Sequence, residues 1–167
     1  MTMATAQQTF FDDVAAATAI PELAKGPLSE PILMRWSAAI ENWHRIHYDR
    51  DFAISHDKLP NLAINGTLKQ QFVVQCLRRW AGPAGWLWKV SFQFRALNLV
   101  GETLRIWARI SDKRELADYG LVDLELGILN DVDRESTPGT AVVALPYRNR
   151  GAGVPYPFVP PHESVIS

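Results

Sequence analysis

Two of the four histidines in the chain, His44 and His47, stand three residues apart in the stretch NWHRIHYDRDF, residues 42–52. At that spacing two side chains can share one face of a helical turn. Imidazole titrates near neutral pH, so such a pair can hold or move a proton. It can also ligate a metal, or close a helix by bonding to its last carbonyls. A metal centre needs several converging ligands. Asp49 and Asp51 are near in sequence, but the chain offers no second cluster, and the lone Cys76 cannot build a thiolate set. No bound metal is expected. A nucleophilic serine has no Gly-x-Ser-x-Gly elbow to present it. No Gly-x-Gly-x-x-Gly or Walker loop is present to cradle a nucleotide. Two readings of the histidines remain, acid–base chemistry and helix-end capping.

Composition narrows the partners. The 167 residues suit one domain, and 47% hydrophobic with 21% charged residues is the balance of a globular protein with a substantial core. The net charge of −1 provides no basic stripe for phosphate backbones, so nucleic acid is not an expected partner. No apolar run approaches the roughly 20 residues of a membrane span, and no charged, apolar leader opens the chain. A cytoplasmic protein is expected. Cys76 falls in the apolar run FVVQCL and reads as a buried structural thiol.

The elements that must position the histidines follow from periodicity. Residues 1–10 read as a loose terminus. Ser29 as N-cap, with Glu30 and Pro31 in the first turn, opens a helix over residues 30–41. Its apolar face is Ile32, Leu33, Trp36, Ala39 and Ile40. The histidine stretch begins where that helix ends. Residues 52–64 look irregular, with Pro60 as a breaker. A longer helix starts near Asn65-Gly66-Thr67, carries Leu68, Phe72, Val73, Cys76, Leu77 and Trp80 on one face, and stops at GPAG, residues 82–85. Four stretches after it read as strands: WLWKVSFQFRAL and ETLRIWARI, which alternate apolar and polar residues, then YGLVDLELGILND and GTAVVALPY. The charged residues 111–115 read as a turn. Trp86, Trp88, Phe92 and Phe94 read as core aromatics, with walls of a ligand pocket as the other reading. A further strand is expected before the first helix. Helices followed by antiparallel strands mean α+β, with one sheet curled around one buried helix. The expected organisation is one domain over residues 1–146 and an extended, proline-rich tail over 147–167.

At the level of motifs, Ser37-Ala38-Ala39-Ile40-Glu41-Asn42-Trp43-His44-Arg45-Ile46-His47-Tyr48-Asp49 resembles the catalytic segment of MaoC-like hotdog dehydratases, the (R)-specific enoyl-CoA hydratases. Within them it is most similar to the subset that includes mesaconyl-C4-CoA hydratase. Leu59-Pro60-Asn61-Leu62-Ala63-Ile64-Asn65-Gly66-Thr67-Leu68 resembles the family's entry to its central helix. Phe92-Gln93-Phe94-Arg95-Ala96 and Gly101-Glu102-Thr103-Leu104-Arg105 resemble its long strands, and Gly26-Pro27-Leu28-Ser29 its opening.

The resemblance implies a single hotdog fold, a curved antiparallel sheet around a long central helix. It implies pairing with a second hotdog subunit, as a homodimer or higher oligomer or as a heterodimer. The implied reaction adds water across a 2-enoyl thioester, or removes it from a 3-hydroxyacyl thioester, on acyl-CoA or an acyl carrier protein. It needs no cofactor, coenzyme A being part of the substrate. His47 matches the catalytic histidine. Asn42, five positions earlier, stands where most of the wider family has aspartate, and His44 is a possible helper. Gly66, with Thr67, matches the helix entry that presents a backbone N–H to the thioester oxygen. Asn65 and Arg45 are possible substrate contacts. Two other expectations fit the same resemblance, a non-catalytic hotdog subunit and an acyl-CoA thioesterase. The thioesterase usually relies on a carboxylate near the central helix, and residues 62–78 contain none.

Overall fold

The computed structural model of the chain describes residues 7–161. In chain order its elements are β1 (Leu23–Lys25), α1 (Glu30–Ala39), α2 (Arg50–Ser55), α3 (Gly66–Ala81), β2 (Trp86–Phe92), β3 (Leu104–Glu115), β4 (Tyr119–Leu129) and β5 (Gly139–Pro146). Short 3-10 turns occupy Phe11–Asp13 and Arg45–His47.

The apolar stripe of α3 decides the arrangement. Leu68, Phe72, Val73, Cys76 and Leu77 are all buried. Such a face keeps its helix mainly through packing, since intrinsic propensity alone is marginal at this length. The sheet supplies the packing surface as five antiparallel strands in the order β1-β3-β4-β5-β2. Ile106 and Ile110 of β3, Leu124 and Ile128 of β4, and Val143 and Leu145 of β5 join the α3 stripe in one core. This is a single hotdog fold of α+β class. Cys76 lies in that core as a free thiol, and burial pushes its pKa up to about 11. No described helix is long and apolar enough to cross a membrane.

Several boundaries differ from the sequence reading. α1 ends at Ala39, because Glu41 takes a left-handed conformation (φ 53°) and turns the chain. The segment expected to be irregular contains α2, capped by Asp49, whose carboxylate accepts the Phe52 N–H at 3.0 Å. The charged residues 111–115 are strand, not turn. β3 continues through a bulge between Ile110 and Asp112, which breaks the alternation that marks a strand. Across the ladder Arg114 makes a two-pronged bond to Asp123. β2 stops at Phe92, leaving residues 93–96 outside the strand.

Both ends of the described chain are tied down. The Gln8 side chain donates to Ala81 O at 2.8 Å and accepts from the Ala84 N–H at 2.8 Å, and Thr9 donates to Trp80 O. These bonds take up carbonyls that the last turn of α3 cannot pair internally. At the other end Val154 and Phe158 lie on the outer face of the sheet, against Tyr119, Leu121 and Ala144. Phe158 stacks on Trp86 with centroids 5.9 Å apart. Trp86 and Trp88 are therefore outer-face aromatics under the tail, not core. Residues 1–6 of the expected loose terminus and 162–167 of the tail lie outside the described residues.

Leu77 is 1% exposed and central to the core. Leu77→Ala should lower unfolding stability by about 2–5 kcal/mol, the range for a buried leucine that leaves a cavity. Equilibrium denaturation in urea checks this.

Candidate active site

The site is assembled where the end of α1, residues 42–49, residues 61–65 and the start of α3 meet. α1 closes by turning back on itself. With Glu41 left-handed, the Glu41 N–H reaches Ala38 O at 3.4 Å and the Asn42 N–H reaches Ser37 O at 2.9 Å, a Schellman closure. That closure fixes where Asn42 leaves the helix. The Asn42 Oδ1 then accepts the His44 N–H at 3.2 Å, which sets the amide within its own loop. The Arg45–His47 turn follows and directs His47 inward.

His47 is 8% exposed. Its Nδ1 lies 2.7 Å from Ala63 O. A carbonyl can only accept, so the neutral ring carries its hydrogen on Nδ1 and its lone pair on Nε2. Burial is the main influence holding its pKa below the usual 6.5, with His44 pushing the same way and the Ala63 bond opposing. At neutral pH His47 is a neutral base with a fixed tautomer.

Residues 61–65 are extended and bonded on both sides. The Ala63 N–H donates to Ile46 O at 3.0 Å, while the Ile64 N–H donates to Asn98 O at 2.8 Å. The segment is a strut between the histidine turn and residues 98–100, and it delivers the chain to Gly66 at the head of α3. Asn65 and Ser37 are both fully buried, and the Asn65 amide donates to Ser37 Oγ at 3.3 Å. The Asn65 Oδ1 has no partner among the described residues. A buried acceptor left without a donor costs about 1–3 kcal/mol.

Asn65 is the N-cap of α3 but makes no side-chain cap bond. The first amides of the helix, Gly66 and Thr67, therefore point from its positive end without an internal acceptor. Gly66 is half-buried and Thr67 exposed. The Thr67 hydroxyl accepts the Trp36 indole N–H at 3.0 Å, tying α3 to α1.

The structure thus joins His47, Asn42, Asn65, Gly66 and Thr67 through one hydrogen-bonded frame. Two sequence candidates sit at its margin. His44 is exposed, its ring centroid 6.0 Å from that of His47. Arg45 turns to Asp49, bonding through Nε at 3.0 Å and Nη2 at 2.7 Å, and lies over the Phe52 ring. Its guanidinium is committed to the cap of α2.

A model of the family described as hydroxyacyl-thioester dehydratase type 2 matches residues 7–102, more than half of the chain. The chain belongs to this family. The dehydratase match spans α1, the histidine turn, α3 and the following segment, and so contains the whole frame. Comparison with curated proteins finds no match. Among solved structures, the chain is similar to the R-hydratase PhaJ1 from Pseudomonas aeruginosa, with TM-score 0.73 and 14% identity over 83% of this chain and 86% of that one. It is similar to the (R)-hydratase from A. caviae involved in PHA biosynthesis, with TM-score 0.72 and 20% identity over 80% and 98%. It also resembles a chain of the ChsH1–ChsH2 complex from Mycobacterium tuberculosis, with TM-score 0.68 and 14% identity over 78% and 98%. At these identities the likeness shows the fold alone.

Three residues of the frame carry weight beyond what the sequence reading assigned. Ser37 joins Asn42 through its backbone carbonyl and Asn65 through its hydroxyl. Phe94, read as core with a pocket wall as the other reading, is 52% exposed and packs on Gly66. Lys69 is buried on α3. Its signal was available: a lysine four residues after Asn65 and three before Phe72 falls on the apolar stripe.

Two outcomes follow from this geometry. Glu41→Gly should stabilise the fold by about 1 kcal/mol, since glycine adopts the left-handed closure without the penalty on a side chain. A higher denaturation midpoint with an unchanged slope checks it. In an NMR titration His47 should protonate with a midpoint below 6.5. The unfolded chain takes up that proton first, so this contribution to stability is complete above about 6.5 and is lost as pH falls towards the lower, folded value.

Proposed function

We propose that this chain is a hydro-lyase acting at the 2,3 position of an acyl thioester, interconverting 2-enoyl-CoA and 3-hydroxyacyl-CoA. Membership of the dehydratase family supports the reaction class. The observation that carries the site is the bond between His47 Nδ1 and Ala63 O, which leaves Nε2 free as a base.

In the hydration direction, the thioester carbonyl rests on the amides of Gly66 and Thr67. There the positive end of α3 stabilises the charge that develops on oxygen. His47 Nε2 takes a proton from water as the water oxygen bonds to C3, and the C2=C3 π electrons move to form an enolate. The protonated His47 then returns the proton to C2, so the elements of one water are added. Dehydration is the reverse path. Asn42 orients the water by hydrogen bonding but cannot accept its proton. The proton work therefore falls on His47, with His44 as the one other imidazole near it among the described residues. No metal or redox group enters this sequence. The asparagine-bearing motif favours the subset that resembles mesaconyl-C4-CoA hydratase.

The partner reading is a second hotdog subunit. Among the described residues β2 ends the sheet order and pairs on one side only, with β5. An unpaired edge of that kind is a template for strand pairing. We infer that two chains join there. A homodimer is the simplest form, and the ChsH1–ChsH2 complex shows that a chain of this fold occurs in a complex of two named proteins. One observation favours a second functional reading: with Asn42 already bonded to the His44 N–H, the chain could act as the non-catalytic member of such a pair.

The test is turnover. Purified chain incubated with crotonyl-CoA should consume the conjugated thioester absorbance. His47→Ala should reduce kcat by roughly 10²–10⁴-fold, the worth of positioned proton transfer. Undiminished activity in His47→Ala would overturn the site. In wild type kcat/KM should hold down to pH 6.5 and decline only below it, because the lowered His47 pKa keeps the base form neutral. Absence of turnover on every enoyl thioester would move the assignment to the non-catalytic subunit.

A further inference from the structure

Residues 93–96 leave β2 and cross the head of α3. Their backbone is fixed from the far side: the Gln93 N–H donates to Pro138 O at 3.0 Å, and the Arg95 and Ala96 N–H groups both donate to Ser136 O, at 2.9 and 3.2 Å. The Phe94 side chain projects over Gly66. A methyl group built on Gly66 would lie 2.9 Å from Phe94 Cε2 and 3.0 Å from Cζ. The space beside the Gly66 Cα is therefore bounded by an aromatic ring, although half of that ring faces solvent.

The ring has a buried neighbour that the proposed chemistry does not use. Lys69 is 2% exposed, with its Nζ 5.2 Å from the Phe94 ring centre. The ammonium donates to Ala96 O at 3.1 Å and to Asn98 Oδ1 at 3.0 Å. Asn98 is itself turned by Glu102, whose carboxylate accepts the Asn98 amide at 2.8 Å. Burial holds the Lys69 pKa down to about 8, opposed by the Glu102 charge. A buried ammonium is costly unless bonded, and an aliphatic side chain would pack the same stripe at no such cost. What the lysine adds is a tether from the first turn of α3 to the carbonyls on the C-terminal side of Phe94.

We propose that Phe94 determines which acyl groups this site admits, and that Lys69 is the positioning residue that holds the ring over Gly66. The inference deepens the thioester reading, because it rests on the carbonyl seating at the Gly66 amide. A carbonyl seated there places C2 of the acyl chain next to the ring. A hydrogen at C2 fits beside it and a methyl branch does not. The site selects acyl thioesters that are unbranched at C2.

Saturated acyl-CoAs read this out without turnover. Butyryl-CoA and isobutyryl-CoA have the same number of carbons and differ in the branch at C2. Calorimetric titration of wild type should give a Kd roughly tenfold or more lower for butyryl-CoA, within the range that one methyl group commands in a shaped pocket. Phe94→Ala, a change at an exposed side chain, should bring the two Kd values to within about threefold. Lys69→Met should shift the ratio in the same direction. Added to Phe94→Ala, it should change the ratio no further, a coupling that general loosening of the fold would not produce. Should Lys69→Met fail to fold, Glu102→Ala, which frees Asn98, replaces it with the same expectation. Equal binding of the two thioesters by wild type, or a ratio unmoved by Phe94→Ala, overturns the inference. An additive Lys69 effect removes the tether. Selective binding without turnover of crotonyl-CoA would leave this inference standing while the hydro-lyase reading falls.

Discussion

Burial of α3 along one side is the constraint on which the other features depend. A sixteen-residue helix with Leu68, Phe72, Val73, Cys76 and Leu77 in one stripe must be covered, and a twisted antiparallel sheet provides the cover as it curls. A helix held this way has its C-terminal turn taken up by Gln8 and Thr9. Its N-terminal turn keeps two amides, Gly66 and Thr67, without a helical acceptor. The fold's solution to a packing problem thus produces a fixed patch of positive potential.

Around that patch the chain places polar groups where hydrophobic ones would pack more cheaply. Ser37, His47, Asn65, Lys69 and Asn98 are all buried. They are connected mostly to backbone carbonyls and to each other rather than to opposite charges. Bonds of this kind fix direction: Ala63 O decides which nitrogen of His47 keeps the lone pair, and Ser37 locates Asn42 relative to Asn65. The weak point of the frame is the Oδ1 of Asn65, which has no partner among the described residues. The segment on which it sits is otherwise held on both edges, which allows one unsatisfied group to persist.

Much of this could be read from residue order. The period of α3 appears directly in the spacing of its apolar residues, and Gly82 ends it as the GPAG run suggests. The inner face of β3 follows from alternation as far as Ile110. Where alternation fails, the reading fails: the bulge after Ile110 disguised the last third of β3 as a charged turn. α2 is only six residues long, too short for a period to emerge, and its signal is the single cap at Asp49. At the site, the histidine motif and Gly66 stand out by residue type. Ser37 and Phe94 do not, since their roles come from contacts with residues far along the chain. Lys69 lay in plain view as a charge on an apolar stripe, but its partners at 96 and 98 are set by tertiary structure alone.

The covering of the outer face carries a consequence for solubility. Trp86, Trp88 and Tyr119 lie on a face that residues 154–158 shield with Val154 and Phe158. Those residues belong to no strand and cover the face through side-chain contact alone, Phe158 stacking on Trp86 and meeting Tyr119 edge-on. A chain cut before Val154 would keep every strand of the sheet yet present these aromatics to water, the kind of contiguous apolar surface through which proteins adhere to one another. A segment that adds nothing to the hydrogen-bonded ladder thus governs how the molecule behaves towards its neighbours.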